Sequence, residues 1–185
     1  MYREQVPDEE EPAVRWLPFQ LNPDLPETGI TRAAYIERKF GPGGARKYTH
    51  VVEAGKTVGI DFDFDGITVQ PNTVNAHRLM LYGAKQGCED AVAESLFKAY
   101  FTEGANLTDK AALAAIGERA GLERAALEAY LATDEDRDVI LQGDIEARQS
   151  GVNGVPFFIF NQRTAVSGAH EPETLLRAML DSRKP

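Results

Sequence analysis

The chain has 185 residues, 43% of them hydrophobic, enough for the core of one domain or of one domain carrying an insertion. Its formal charge of -9 and pI near 4.9 argue against nonspecific binding to nucleic acid or to an anionic membrane, which needs clustered Lys and Arg. No run approaches the roughly 18 apolar residues of a membrane helix, and the acidic start MYREQVPDEEEP is no signal peptide, so the expectation is an unexported, cytoplasmic protein.

In chain order, residues 13–22 (AVRWLPFQLN) gather Val14, Trp16, Leu17, Phe19 and Leu21. They read as a strand that ends at Pro18 or runs irregularly to the turn at Asn22-Pro23, with Trp16 and Phe19 as core aromatics. From Thr31 to Gly151 almost everything is predicted helical. Thr31 caps a helix through Phe40, Gly41-Pro42-Gly43-Gly44 breaks it, and a second helix covers Lys47 to Val58. Asp61 to Gln70 is an aromatic, Asp-rich connection whose carboxylates miss the EF-hand offsets. Asn72 or Thr73 caps a helix with Val74, His77, Leu81 and Ala84 on one stripe. Ala91 to Thr102 follows with Leu96, Phe97 and Tyr100, and Thr108 caps the next helix, with Leu113 and Ile116 facing inward. Glu123 to Leu131 and Glu135 to Gln149 complete an antiparallel helical cluster.

The specialised feature is Gly154-Val155-Pro156 leading into Phe157-Phe158-Ile159-Phe160. Proline has no N–H for a sheet ladder, so at the mouth of a strand it sits where the chain bends. Two arrangements fit: a cis Val155-Pro156 bond that turns the Val155 N–H and C=O outward toward an extended peptide or a thiol cofactor's backbone, or an ordinary hairpin with a trans proline. The strand is expected to be buried on both faces. Asn161-Gln162 makes the turn, Thr164 to Gly168 returns, and Glu171 to Met179 is a helix with Pro172 in its first turn and Leu175, Leu176, Met179 and Leu180 on one face.

Several chemistries lack the residues they need. Cys88 is the sole cysteine, so neither an intramolecular disulfide nor a CxxC pair is available. Its setting among Glu89 and Asp90 favours an inert thiol. His50, His77 and His170 are scattered, and no HExxH, P-loop, GxGxxG or GxSxG occurs, so no metal or cofactor is expected. His77 reads as a hydrogen-bonded core or cleft residue, and Asn72 as a helix cap that can also offer a cleft amide.

Five segments carry a resemblance: VRWLPFQLNPDLP from Val14, YIERKFG from Tyr35, FDFD from Phe62, PNTVNAHRL from Pro71, and GVNGVPFFIFN with AVSGAHEPETLL from Gly151 to Leu176. In order and spacing the chain resembles the DsbA-like thioredoxin-fold family, in its FrnE-like branch. That branch is similar in turn to 2-hydroxychromene-2-carboxylate isomerases and kappa-class glutathione transferases. The resemblance implies an α/β thioredoxin-like fold with a large all-helical insertion. Residues 1–30 and 151–185 would form an incomplete thioredoxin-like core, and 31–150 the insertion with its connecting helix. It also implies that Val155-Pro156 is the family's cis-proline loop, facing redox cysteines and holding substrate peptide, with Gly154, Asn72 and His77 as further substrate-binding candidates.

Members of the family normally begin with a strand leading into a CPWC-type motif, and this chain starts after both. A truncation or an alternative start is therefore the expectation, rather than a natural cysteine-free relative. Without that central strand, Val14–Leu21 and Phe157–Phe160 would be separated, leaving open edges that invite self-association into a homo-oligomer. Three functions follow from the resemblance: a thiol–disulfide oxidoreductase that is redox-inactive in this chain, a glutathione-dependent isomerase or transferase, and a non-catalytic peptide-binding module. The second is weakened by Ala169-His170 standing where that branch carries a Ser-Asp pair after the last strand. The implied partner is an extended polypeptide or a small thiol such as glutathione.

Overall fold

The computed structural model describes residues 2–6, 11–42, 44 and 48–183. Its elements, in order, are α1 (Tyr2–Gln5), β1 (Ile30–Thr31), α2 (Arg32–Phe40), α3 (Thr49–Thr57), β2 (Val69–Gln70), α4 (Val74–Lys85), α5 (Glu89–Phe101), α6 (Lys110–Arg119), α7 (Arg124–Ala132), α8 (Arg137–Gln149), β3 (Phe157–Phe160), β4 (Thr164–Ser167) and α9 (Pro172–Asp181). The chain divides into two compact units, residues 22–142 and residues 1–21 with 143–185.

In residues 22–142, helices α4 to α7 pack on one another around Leu79, Val92, Leu113, Leu127 and Leu131, all fully buried. Burying a leucine contributes about 1.5–3 kcal/mol, so these side chains supply much of the unit's hydrophobic stabilisation. Capping follows the sequence in part. Thr31 accepts from the Ala34 N–H as expected, but α6 starts on Asp109, whose carboxylate accepts from Ala111, and not on Thr108. Asx and carboxylate caps outrank threonine when both stand at the boundary. The second expected helix is α3; Gly43 and Lys47, at its expected approach, lie outside the described residues.

The expected stripe on α4 is displaced. Ala76, Leu79 and Gly83 face the core together with Asn75 and Arg78, while Ala84 is exposed. Asn75 and Arg78 are polar, and their hydrogen bonds allow the burial. On α5, Leu96 and Tyr100 are buried and Phe97 is 50% exposed. The two-residue antiparallel ladder of β1 with β2 was not foreseen, being too short for a period to show. Gly29 leads into it with φ of +69°, and a Cβ there would lie 2.5 Å from the Gln70 carbonyl oxygen.

In the other unit, β3 and β4 form an antiparallel hairpin, Phe157 opposite Ser167 and Phe160 opposite Thr164, with α9 packed on β4. Asn161 and Gln162 turn the chain with φ of 51° and 56°, the left-handed geometry hairpin turns use. Two expectations fail here. Residues 13–20 adopt no strand, and Trp16 is 41% exposed instead of core. A strand needs a neighbouring ladder, and none is present beside this segment among the described residues. Instead α8 side chains hold it: Asp144 accepts from the Gln20 N–H at 2.7 Å, and Arg148 donates to the Gln20 carbonyl while lying over the Phe19 ring. The second failure is β3, which is not buried on both faces. Phe157, Phe158 and Phe160 are half-buried and Ile159 is 50% exposed.

Candidate functional site

The site begins with local backbone geometry. The Val155-Pro156 bond is cis. Pro156 contributes its carbonyl to the hairpin, accepting from Gly168 N–H at 2.8 Å, and so continues the ladder beyond Phe157. That bond fixes the parity of β3. Phe158 and Phe160 turn their N–H and C=O groups toward β4, and Phe157 and Ile159 turn theirs to the opposite edge. Among the described residues no strand covers that edge, the hairpin being two-stranded.

Val155 stands at the head of the open edge. It is 54% exposed, and neither its N–H nor its C=O makes a hydrogen bond among the described residues. Gly154 before it is half-buried, with nothing within 4 Å of the position a Cβ would occupy. A free donor and acceptor on one edge residue can pair with an added extended chain, reading backbone before side chains. Downstream, Nε2 of His170 pairs with the Ser167 carbonyl at 3.0 Å.

Asn72 and His77 lie in the unit of residues 22–142, and Gly154, Val155 and Pro156 in the other. The Asn72 amide is engaged locally: Nδ2 donates to the Leu25 carbonyl at 2.9 Å, and Oδ1 accepts from Val74 N–H at 3.0 Å. His77 is half-buried on the first turn of α4. Cys88 is half-buried and precedes α5, and no group of three His, Cys, Asp or Glu among the described residues could hold a metal ion.

Sequence reasoning passed over the best-connected polar side chain. Arg78 is 1% exposed, and its guanidinium donates to the carbonyls of Tyr130, Thr133 and Glu135 and to Asn75 Oδ1 at 2.7–2.9 Å, over the Tyr130 ring. It thereby caps the C-terminus of α7, whose last carbonyls have no helical partner. Beside it Tyr130 donates to Asp136 Oδ2, which Lys85 also contacts. The Lys85 hydrogen bond holds the Asp136 carboxyl below the ordinary range, and burial pushes the Tyr130 phenol up. An arginine between apolar helix positions was the available signal.

Residues 3–180 match the DSBA-like thioredoxin domain, so the chain belongs to that family and has its mixed α/β, thioredoxin-like fold. It is similar to the uncharacterized protein YwbO of Bacillus subtilis, 23% identical over 172 residues that span 92% of this chain and 82% of that one. A probable DsbA oxidoreductase from Streptomyces coelicolor superposes with a TM-score of 0.81 at 22% identity, over 90% of this chain and 75% of its own. A solved structure from Nitrosomonas europaea superposes with a TM-score of 0.62 at 18% identity, over 76% and 74% of the two chains. No helix among the described residues is long and apolar enough to cross a membrane.

Proposed function

We propose that these residues form the polypeptide-holding part of a DsbA-type thiol–disulfide oxidoreductase of the FrnE-like branch, acting in the cytoplasm. In this reading residues 1–30 and 151–185 are the thioredoxin-like core and 31–150 the insertion. The observation that carries it is the exposed Val155 at the head of the open edge of β3, its backbone unpaired among the described residues. In oxidoreductase chemistry a thiolate attacks a substrate disulfide, and a strand-like contact holds the substrate chain while the mixed disulfide lasts. With Cys88 as the sole cysteine, these residues hold substrate without themselves exchanging dithiol for disulfide.

The test is titration of the isotope-labelled protein with alkylated, thiol-free insulin B chain, followed by amide NMR. Saturable shifts concentrated on Gly154, Val155, Phe157 and Ile159 are expected. Shifts absent from those residues, or scattered without saturation, would reject the reading. Glutathione added in the same experiment separates a small-thiol site, for which no residue after β4 offers specific support, from the polypeptide site.

A further inference from the structure

Arg32, the first residue of α2, is 8% exposed, yet no carboxylate among the described residues pairs with it. Its backbone N–H is fixed to the Thr68 carbonyl at 2.8 Å, and its guanidinium lies over the Tyr35 and Tyr48 rings, 5.4 and 4.8 Å from their centroids. Nη1 donates to Gln70 Oε1, a neutral acceptor that Tyr100 also approaches at 3.5 Å. Tyr100 does not serve as the counter-anion. Burial, opposed only in part by Arg32, pushes its phenol up to about 12, so it is neutral at physiological pH. Nε is buried with no partner, and Nη2 makes no hydrogen bond among the described residues.

A buried charge normally has a partner, because leaving one uncompensated costs several kcal/mol. Among the described residues nothing answers one whole side of the guanidinium, the Nε–Nη2 fork, and that fork is the geometry that takes a carboxylate through two parallel hydrogen bonds. The flanking surfaces are aromatic: Tyr48 stacks on Phe64 at 4.6 Å and meets Phe40 edge-on at 5.8 Å. The sequence from 32 to 47 carries Arg32, Arg38, Lys39, Arg46 and Lys47 against Glu37 alone, a cationic stretch in a chain of net charge -9.

We infer that Arg32 anchors a binding site for a small carboxylate bearing an apolar or aromatic group. The carboxylate sits on the Nε–Nη2 fork, and the apolar group lies against Tyr48 and Phe64. The ligand's charge supplies the counter-anion that no described residue provides, and its apolar part selects an organic acid over a bare anion. The site belongs to residues 22–142 and stands or falls independently of peptide binding at Val155.

The test is calorimetric titration of the 185-residue protein with phenylacetate at low ionic strength, beside uncharged phenylacetamide and inorganic phosphate. Saturable one-to-one binding of phenylacetate, at least tenfold tighter than either control, is the expected result. Arg32→Lys, which keeps the charge but loses the fork, should weaken it at least tenfold with an unchanged circular dichroism spectrum. Phenylacetamide binding equally well would reduce the site to an apolar patch, phosphate binding as tightly or more tightly would make it a phosphate site, and no saturation would leave Arg32 a purely structural cation; each overturns the inference. Should Arg32→Lys not fold, the three wild-type titrations decide alone.

Discussion

Arg78 and Asp136 show how one residue sets local stability. Removing the Arg78 guanidinium takes the donor from the carbonyls of Thr133 and Glu135 and from the Asn75 Oδ1, whereas the Tyr130 carbonyl keeps the N–H and hydroxyl of Thr133. Thr133 and Glu135 are exposed and water can reach them, but Asn75 is buried, and one buried unsatisfied acceptor costs about 1–3 kcal/mol, so Arg78→Met should destabilise the fold by about 1–3 kcal/mol in urea unfolding, and no measurable loss would show that water replaces the donor throughout. Asp136 adopts φ of 61°, a conformation asparagine tolerates, so Asp136→Asn isolates the charge from the backbone. Its carboxyl is held below the ordinary range by Lys85, and its contribution therefore operates above the unfolded-state value near 4 and fades as pH falls through the lower folded-state value. Asp136→Asn should reduce stability at pH 7, with the wild-type advantage shrinking toward pH 2. An advantage that stays constant across that range would contradict the ion-pair account.

Elements were legible where a repeating pattern or a cap marks them, and illegible where a tertiary partner decides. Thr31 with α2, the helices α4 to α9, and the β3–β4 hairpin with its Asn161-Gln162 turn can all be read from the residues. Residues 13–20 cannot: their apolar pattern is strand-like, but their backbone is held by Asp144 and Arg148, and nothing in the local sequence of α8 announces a clamp on a segment so far away. Arg15 lies within this strap and is exposed. Asp144→Ala, which removes the acceptor for Gln20 N–H and the carboxylate that pairs with Arg148, should accelerate trypsin cleavage at Arg15 several-fold under native conditions, and an unchanged cleavage rate would show that the strap is held otherwise. The open edge of β3 makes the second prediction at this scale. Ile159 is 50% exposed there, and a charge on an edge strand opposes pairing with a second copy. Ile159→Lys should lower the self-associated fraction in sedimentation velocity at high protein concentration, whereas equal association in both proteins would exclude this edge as the contact.

At the scale of the whole molecule, the family was legible because motifs from Val14 to Leu176 keep their order and spacing, and residues 3–180 match the DSBA-like thioredoxin domain. The candidate site was legible in part. Gly154-Val155-Pro156 stands out as punctuation before an apolar strand, but the open edge it heads depends on which strands are present to pair, and the unanswered fork of Arg32 depends on which carboxylates surround it. The proposed role, holding polypeptide without turning over disulfides, rests on Cys88 being the sole thiol of these 185 residues. Insulin reduction by dithiothreitol, followed by turbidity with the wild-type protein and with Cys88→Ser, decides it: neither protein should accelerate precipitation beyond the uncatalysed rate, and acceleration by the wild-type protein that Cys88→Ser abolishes would contradict that role.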